Sequence, residues 1–310
     1  MVGQTVEAML SEEKKVRDVR KRWGKIGSKF SHLTRVHPCY SEKAHFQIAR
    51  IHLPVAPKCN IQCKFCKRDI NKCEYRPGVT SYIASPTQAL ARLEKAVKEI
   101  PNLKVVGIAG PGEPLANSET FETFELVEER FPKLVKCIAT NGLLLPRKVD
   151  ELVALNVKTV TVTVNALDPE VASKIYSWIH YDGKLYRGEE GTKILIHNQL
   201  EGIEKASEKG LVVKVNTVLI PKINVGQIEG IAKEVASRGA VLMNIIPLIP
   251  MYEFKKFKPP NCDGLNAARA LAEKHIPQFR LCRQCRADAC GVPGLERGSP
   301  FKSRSEYYHA

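Results

Sequence analysis

The chain has 310 residues, 44% of them apolar, and a formal net charge of +15 from 48 basic and 33 acidic side chains. That length allows one or two domains, and α/β barrels run about 200–250 residues as a single domain. No stretch approaches the roughly 18–20 apolar residues of a membrane span, and the opening MVGQTVEAMLSEEKKVRDVRKRWGK lacks the apolar core of a signal peptide, so no membrane partner and a cytoplasmic location are expected.

Residues 1–45 read as a basic N-terminal leader, helical to about Pro38, with Val16, Val19 and Trp23 on one stripe. From residue 46 to 250 strands and helices alternate. The segment 46–55 reads as a strand, Pro86–Ile100 as a helix capped by Ser85 with Pro86 in its first turn, and 104–110 as a second strand. A helix over Ser118–Phe131 leads to a strand at 134–140. A helix over Arg147–Leu155 leads to a strand at 158–165. Pro169–Trp178 and Thr192–Lys209 read as helices around a Gly-rich polar insert. A strand at 211–220, a helix over Val225–Arg238 and a strand at 241–250 follow. Residues 251–310 form a Lys/Pro-rich C-terminal extension.

Six βα units with short connections favour a parallel sheet with helices outside. The strands are rich in β-branched residues without a polar face, as in sheets covered on both sides. Six units fall short of the eight of a closed barrel, so the expected fold is α/β, a partial (β/α)6 TIM-type barrel, with a doubly wound open sheet as the alternative.

The chemistry concentrates in cysteine. There are ten, at Cys39, Cys59, Cys63, Cys66, Cys73, Cys137, Cys262, Cys282, Cys285 and Cys290. Grouped cysteines in an intracellular chain favour metal over disulfide, and so many thiols imply oxygen sensitivity. Cys59, Cys63 and Cys66 are spaced C-x3-C-x2-C directly after the first strand. Three thiolates can hold three corners of a cubane and leave one iron open to a ligand. A zinc site completed by Cys73 or a histidine is the bland alternative, but the loop leaves the end of a strand where α/β proteins build active sites. The second strand ends in Ala109-Gly110-Pro111-Gly112-Glu113-Pro114, whose glycines let the backbone approach a ligand closely.

Together the two motifs resemble the radical S-adenosylmethionine (SAM) superfamily. The resemblance implies a 4Fe–4S cluster on Cys59, Cys63 and Cys66 whose open iron chelates SAM. It implies a GGEP-like turn of Gly110, Gly112 and Glu113 at the methionine end, and contacts to SAM from the strand ends at Asn141 and Asn165. Each asparagine alone reads equally as a cap or turn residue. The runs HPCYSEKAH (37–45), RIHLPVAPKCNIQCKFCKRDINKCEYRPGVTS (50–81) and AGPGEPLAN (109–117) further resemble the NifB family of nitrogenase cofactor biosynthesis, in the short, stand-alone form typical of archaea without a C-terminal carrier domain.

That resemblance implies three 4Fe–4S clusters, one binding SAM and two, called K1 and K2, being cluster substrates. They are fused with a SAM-derived carbide and an added sulfur into an 8Fe–9S–C precursor. It implies a low-potential electron donor, an iron–sulfur cluster donor and a separate carrier or scaffold protein as partners. The remaining donors divide between the substrates: Cys39, His52 and Cys137 for K1, with His37 and His45 as rivals, and Cys73, Cys282 and Cys285 for K2. A buried core thiol is the plain reading of Cys137, and a satisfied core histidine that of His52. Cys290 reads as a fourth ligand or a cap, and Cys262 as a bystander. Glu74 is the candidate proton relay, its plain alternative being an ion pair with Lys72 or Arg76. Two other functions compete. A peptide maturase with auxiliary clusters would not need Cys39, His52 and Cys137. A metal protein that binds nucleic acid would not need the AGPGEP turn. With aromatics at 7% and no nucleic-acid motif, nucleic acid is not an expected partner.

Overall fold

The computed structural model describes residues 30–295; the helix expected before residue 30 lies outside the described residues. The strands in chain order are β1 (Ala49–His52), β2 (Ile61–Cys63), β3 (Asp69–Ile70), β4 (Val79–Thr80), β5 (Leu103–Ile108), β6 (Val135–Thr140), β7 (Val157–Thr163), β8 (Tyr176–Tyr181), β9 (Lys184–Tyr186), β10 (Val212–Leu219), β11 (Leu242–Pro247) and β12 (Cys290–Gly291). The main sheet runs β11-β10-β7-β6-β5-β1-β12. Its six long strands are parallel and sit in chain order, each βα unit laying its strand beside the last. This is the expected partial barrel.

The two faces of the sheet differ by alternation. Ile51, Val106, Ile138, Val160 and Val213 face outward into the large core shared with the helices. The helix Pro86–Glu99 shows how the sequence builds that layer. Ser85 and Gln88 form a reciprocal capping box, Pro86 opens the first turn, and Ala89, Leu93 and Ala96 recur on the buried stripe. The neighbouring strand positions face inward. Val105, Val135 and Val212 meet Leu33, Tyr40 and Phe279 there, so the segment before β1 and the C-terminal extension close the floor of the half-barrel.

One expectation is corrected, and the C-terminal extension carries two elements beyond the sequence reading. The helix expected over Pro169–Trp178 stops at Ser173, and Tyr176–Tyr181 is a strand. It turns back through Asp182 and Gly183, both at positive φ, into Lys184–Tyr186. An Asp-Gly pair between strands is a hairpin signal, and it lay inside what reads as a polar insert. The extension is not patternless: Asn261 caps a helix over Cys262–Glu273. Finally, β12 adds an antiparallel edge to β1.

Candidate active site

The chain leaves β1 at His52 and reaches the cysteine loop through Ala56, which bridges Pro111. Two features hold the loop in shape. β2 lies inside the C-x3-C spacing and pairs with β8, Ile61 opposite Ile179 and Gln62 opposite Trp178. The buried Gln62 amide donates to the carbonyls of Cys63 and Cys66, each at 2.9 Å. All three thiols are free and partly buried. Burial, then the charge of Glu113, pushes the Cys59 thiol up to about 11. Burial and then the neighbouring Cys66 and Cys59 raise Cys63 well above its usual value. Arg68 acts on all three thiols in the opposite sense. Three soft donors on one loop beside a cation suit a cubane, whose metal would draw off their protons on binding. The buried Asn60 amide nitrogen, within the loop, has no hydrogen-bond partner and is a donor left for a ligand.

The AGPGEP turn is zipped onto this loop. Gly112 N–H donates to Ala56 at 2.7 Å and Glu113 N–H to Lys58 at 2.8 Å. A Cβ on Gly112 would lie 2.2 Å from the Lys58 carbonyl oxygen. Glu113 does not present its carboxylate to open space. The buried group accepts from Thr140 Oγ1 at 2.5 Å, Asn141 N–H at 2.6 Å and Leu115 N–H at 3.0 Å, clamping the turn to the end of β6. Burial raises its pKa to about 7 despite those bonds. A carboxyl raised in the folded state favours the folded protein while protonated, and that contribution fades as pH rises. In the metal-free protein, stability should therefore fall between the ordinary carboxylate value of 4.5 and about 7. Chemical denaturation across that range should show the slope in the parent and not in Glu113→Gln. An equal slope in both would show that another group sets it.

Asn141 donates its amide to Asn60 Oδ1 at 2.7 Å, and its own Oδ1 caps Leu143. It therefore orients the loop asparagine that has a free donor. Asn165 is fully buried, its amide donating to the Tyr176 hydroxyl at 3.0 Å and accepting from Val218 N–H at 2.9 Å, so that it braces strand ends. Asn60 and Gln62 escaped the sequence reading, and Thr140 entered it only as a strand-end position beside Asn141. The only available signal was their position inside or beside the two motifs.

A second group of donors lines the inner face of the sheet. One cross-strand row runs His52, Gly107, Cys137, Thr159. Gly107 leaves a gap there: a Cβ at that position would be 2.6 Å from Cys137 Sγ and 3.3 Å from His52 Cδ2. His52 Nδ1 is 3.1 Å from the Arg286 carbonyl, which can only accept, so the proton sits on Nδ1 and the Nε2 lone pair is left for a metal. Burial, then Arg50, lowers the His52 pKa to about 4, so the ring is neutral near pH 7. The rival His37 has Nδ1 accepting from Cys39 N–H, which puts its proton on Nε2. The other rival, His45, bonds Pro38 through Nδ1. Burial and then Cys39 push Cys137 up to about 12. Cys39 in turn lies within electrostatic reach of Cys285 and Cys282, and Arg50 donates to Cys285 Sγ at 3.1 Å.

Cys73 is exposed, in a loop where Asn71 Oδ1 accepts from the amides of Cys73 and Glu74. Arg286 fastens that loop to the Cys282–Cys285 segment. Its guanidinium donates to the carbonyls of Asn71 (2.7 Å) and Glu74, while Asp288 holds it at 2.8 Å. The Glu74 carboxylate is paired with Arg76. Cys290 stands opposite Ile51 and packs on the outer core, away from the inner face. Cys262 opens the helix of the extension. Among the described residues, no three His, Cys, Asp or Glu side chains are grouped to hold a single metal ion, and no helix is long and apolar enough to cross a membrane.

A partial barrel with a three-cysteine loop after its first strand and a glycine turn after its second defines a radical SAM protein, and the radical SAM superfamily profile matches residues 53–235. The solved structure of Streptococcus suis SuiB shares the fold with a TM-score of 0.53 at 15% identity, over 77% of this chain and 48% of that one. Among curated proteins, FeMo cofactor biosynthesis protein NifB of Methanocaldococcus jannaschii is 55% identical over 267 residues, 86% of this chain and 89% of that protein. The Klebsiella pneumoniae NifB is 45% identical over 86% of this chain but only 58% of its own longer length. The chain belongs to the NifB family. Membership implies SAM and a 4Fe–4S cluster as cofactors, to which the three-cysteine loop is suited.

Proposed function

We propose that this chain builds the nitrogenase cofactor precursor by joining two substrate cubanes, K1 and K2, around a carbon taken from SAM. The observation that carries the reading is the second donor set. His52 and Cys137 flank the gap at Gly107, one sheet row inside the barrel whose rim carries the cysteine loop. A radical SAM enzyme acting on a peptide has no use for soft donors there.

When bound, the radical SAM cluster and SAM supply a transferable methyl group and, from a second SAM, a 5′-deoxyadenosyl radical. The protein's task is placement. Cys59, Cys63 and Cys66 hold the SAM-binding cluster; Gly110, Gly112 and Glu113 shape the wall beside it, and Asn60, aimed by Asn141, offers its amide to the ligand. Cys39, His52 and Cys137 carry K1, and the neutral His52 ring makes that hold looser than three thiolates would. Cys73, Cys282 and Cys285 carry K2, gathered by Arg286. Methyl transfer to a cluster sulfide precedes hydrogen abstraction from that methyl, and Glu74, next to Cys73 in the chain, is the carboxylate for taking protons away once it leaves Arg76. A low-potential electron donor, a cluster donor and a carrier for the product complete the system.

Anaerobic reconstitution should give about twelve iron atoms per chain, four for each of three cubanes. Cys59→Ala should abolish SAM cleavage. Cys282→Ala should leave SAM cleavage uncoupled and block methyl transfer. A carbide-containing product from Cys282→Ala would overturn the K2 assignment.

A further inference from the structure

The inner face also holds a cation without an anion among the described residues. Lys214 sits on β10 two residues after Val212, on the face that lines the floor, and is 5% exposed. Its ammonium lies 5.1 Å from the centre of the Tyr40 ring and 5.6 Å from that of Phe279. Its one hydrogen bond is a long one, 3.4 Å, to the Cys39 carbonyl. No carboxylate pairs with it among the described residues. The fold does not treat its other buried lysine this way: Lys136, fully buried on β6, is paired with Glu128. Burying an ammonium without a counter-ion is costly, so an unpaired one needs an explanation. The thiols of Cys39 and Cys137 and the imidazole of His37, none of them a carboxylate, are the titratable groups within electrostatic reach of Lys214.

We propose that Lys214 is the built-in counter-ion of the cluster substrate held on the inner face, kept free of carboxylates so that the anionic cluster supplies the missing charge. The aromatic faces of Tyr40 and Phe279 steady the ammonium without neutralising it. The cluster's thiolates and sulfides then meet a fixed positive charge in a dry site, and each electron added to the cluster strengthens that attraction. Net charge around an iron–sulfur cluster helps set its reduction potential, so Lys214 also makes this cluster easier to reduce. The proposal rests on the reading of Cys39, His52 and Cys137 as the K1 donors.

The test uses Lys214→Met, close in volume and uncharged, and Lys214→Arg, which keeps the charge. In the cluster-free chain, Lys214→Met should melt higher than the parent, because an uncompensated charge has been removed. After anaerobic reconstitution the order should reverse. Lys214→Met should lose about four iron atoms per chain, one cubane, or retain them with a lower reduction midpoint in the same cluster. Lys214→Arg should behave as the parent. A cluster-free Lys214→Met that melts lower or fails to fold would show that Lys214 is a packing element and overturn the proposal. So would full iron with an unchanged midpoint. A parent protein that never holds more than about four iron atoms would instead defeat the three-cluster reading beneath it.

Discussion

Gly112→Ala should reduce SAM cleavage by about a hundredfold or more. The added methyl would sit 2.2 Å from the Lys58 oxygen, 2.7 Å from the Lys58 carbonyl carbon and 2.7 Å from the Pro57 oxygen. All three are backbone atoms of the segment that delivers Cys59, so no side chain can swing away. Relief requires the turn and the cysteine loop to part. That breaks the bonds from Gly112 to Ala56 and from Glu113 to Lys58, worth about 1 kcal/mol each. It also drags on the Glu113 clamp to Thr140 and Asn141. The direct cost to stability is modest, about 1–3 kcal/mol for overpacking. The cost to chemistry is larger, since a misplacement of about 1 Å can take about a hundredfold from a rate. The assay is anaerobic formation of 5′-deoxyadenosine under a strong reductant. Gly226→Ala, where an added methyl meets nothing within 4 Å, is the control and should match the parent. Parental cleavage by Gly112→Ala would mean that the contact between turn and loop does not position SAM.

What the sequence made legible was what is contiguous. The cysteine loop and the AGPGEP turn are each a few residues long, and their spacing carries their chemistry. The βα alternation was equally plain, because each strand is a short β-branched run beside an amphipathic helix. What was not legible shares a cause. Tyr176–Tyr181 is rich in aromatic residues but holds one β-branched residue, Ile179, and its strand character depends on a partner, β2, over a hundred residues earlier. The same holds for β12, two residues long and meaningful only against β1. Asn165 looked like other strand-end asparagines, and only the folded chain shows its amide spent on Tyr176 and Val218. Arg286, which ties together segments more than two hundred residues apart, and Lys214, whose lack of a carboxylate is a property of its surroundings, have no local signature at all.

Gly107→Ala should empty the inner donor row while leaving the fold intact. The position is ordinary strand, paired on both sides, and its backbone accepts alanine without strain. What it lacks is room on the inner face: the methyl would press on Cys137 Sγ at 2.6 Å and on His52 Cδ2 at 3.3 Å. Cys137 can escape by turning about its single side-chain torsion, but its sulfur then no longer points where His52 does. A glycine inside a strand often marks the close approach of another body, and here soft donors on both neighbouring strands say what kind. The expected result is a loss of about four iron atoms per chain, with a near-parental melting temperature in the cluster-free protein and the spectrum of the SAM-binding cluster retained. Cys137→Ala should give the same deficit, and the double variant should be no worse than either single one, because both changes remove one cluster. The nitrogen hyperfine signal from His52 should vanish in both. If Gly107→Ala keeps full iron and that signal, the gap between β1 and β6 is an accident of packing, and no cluster is held between His52 and Cys137.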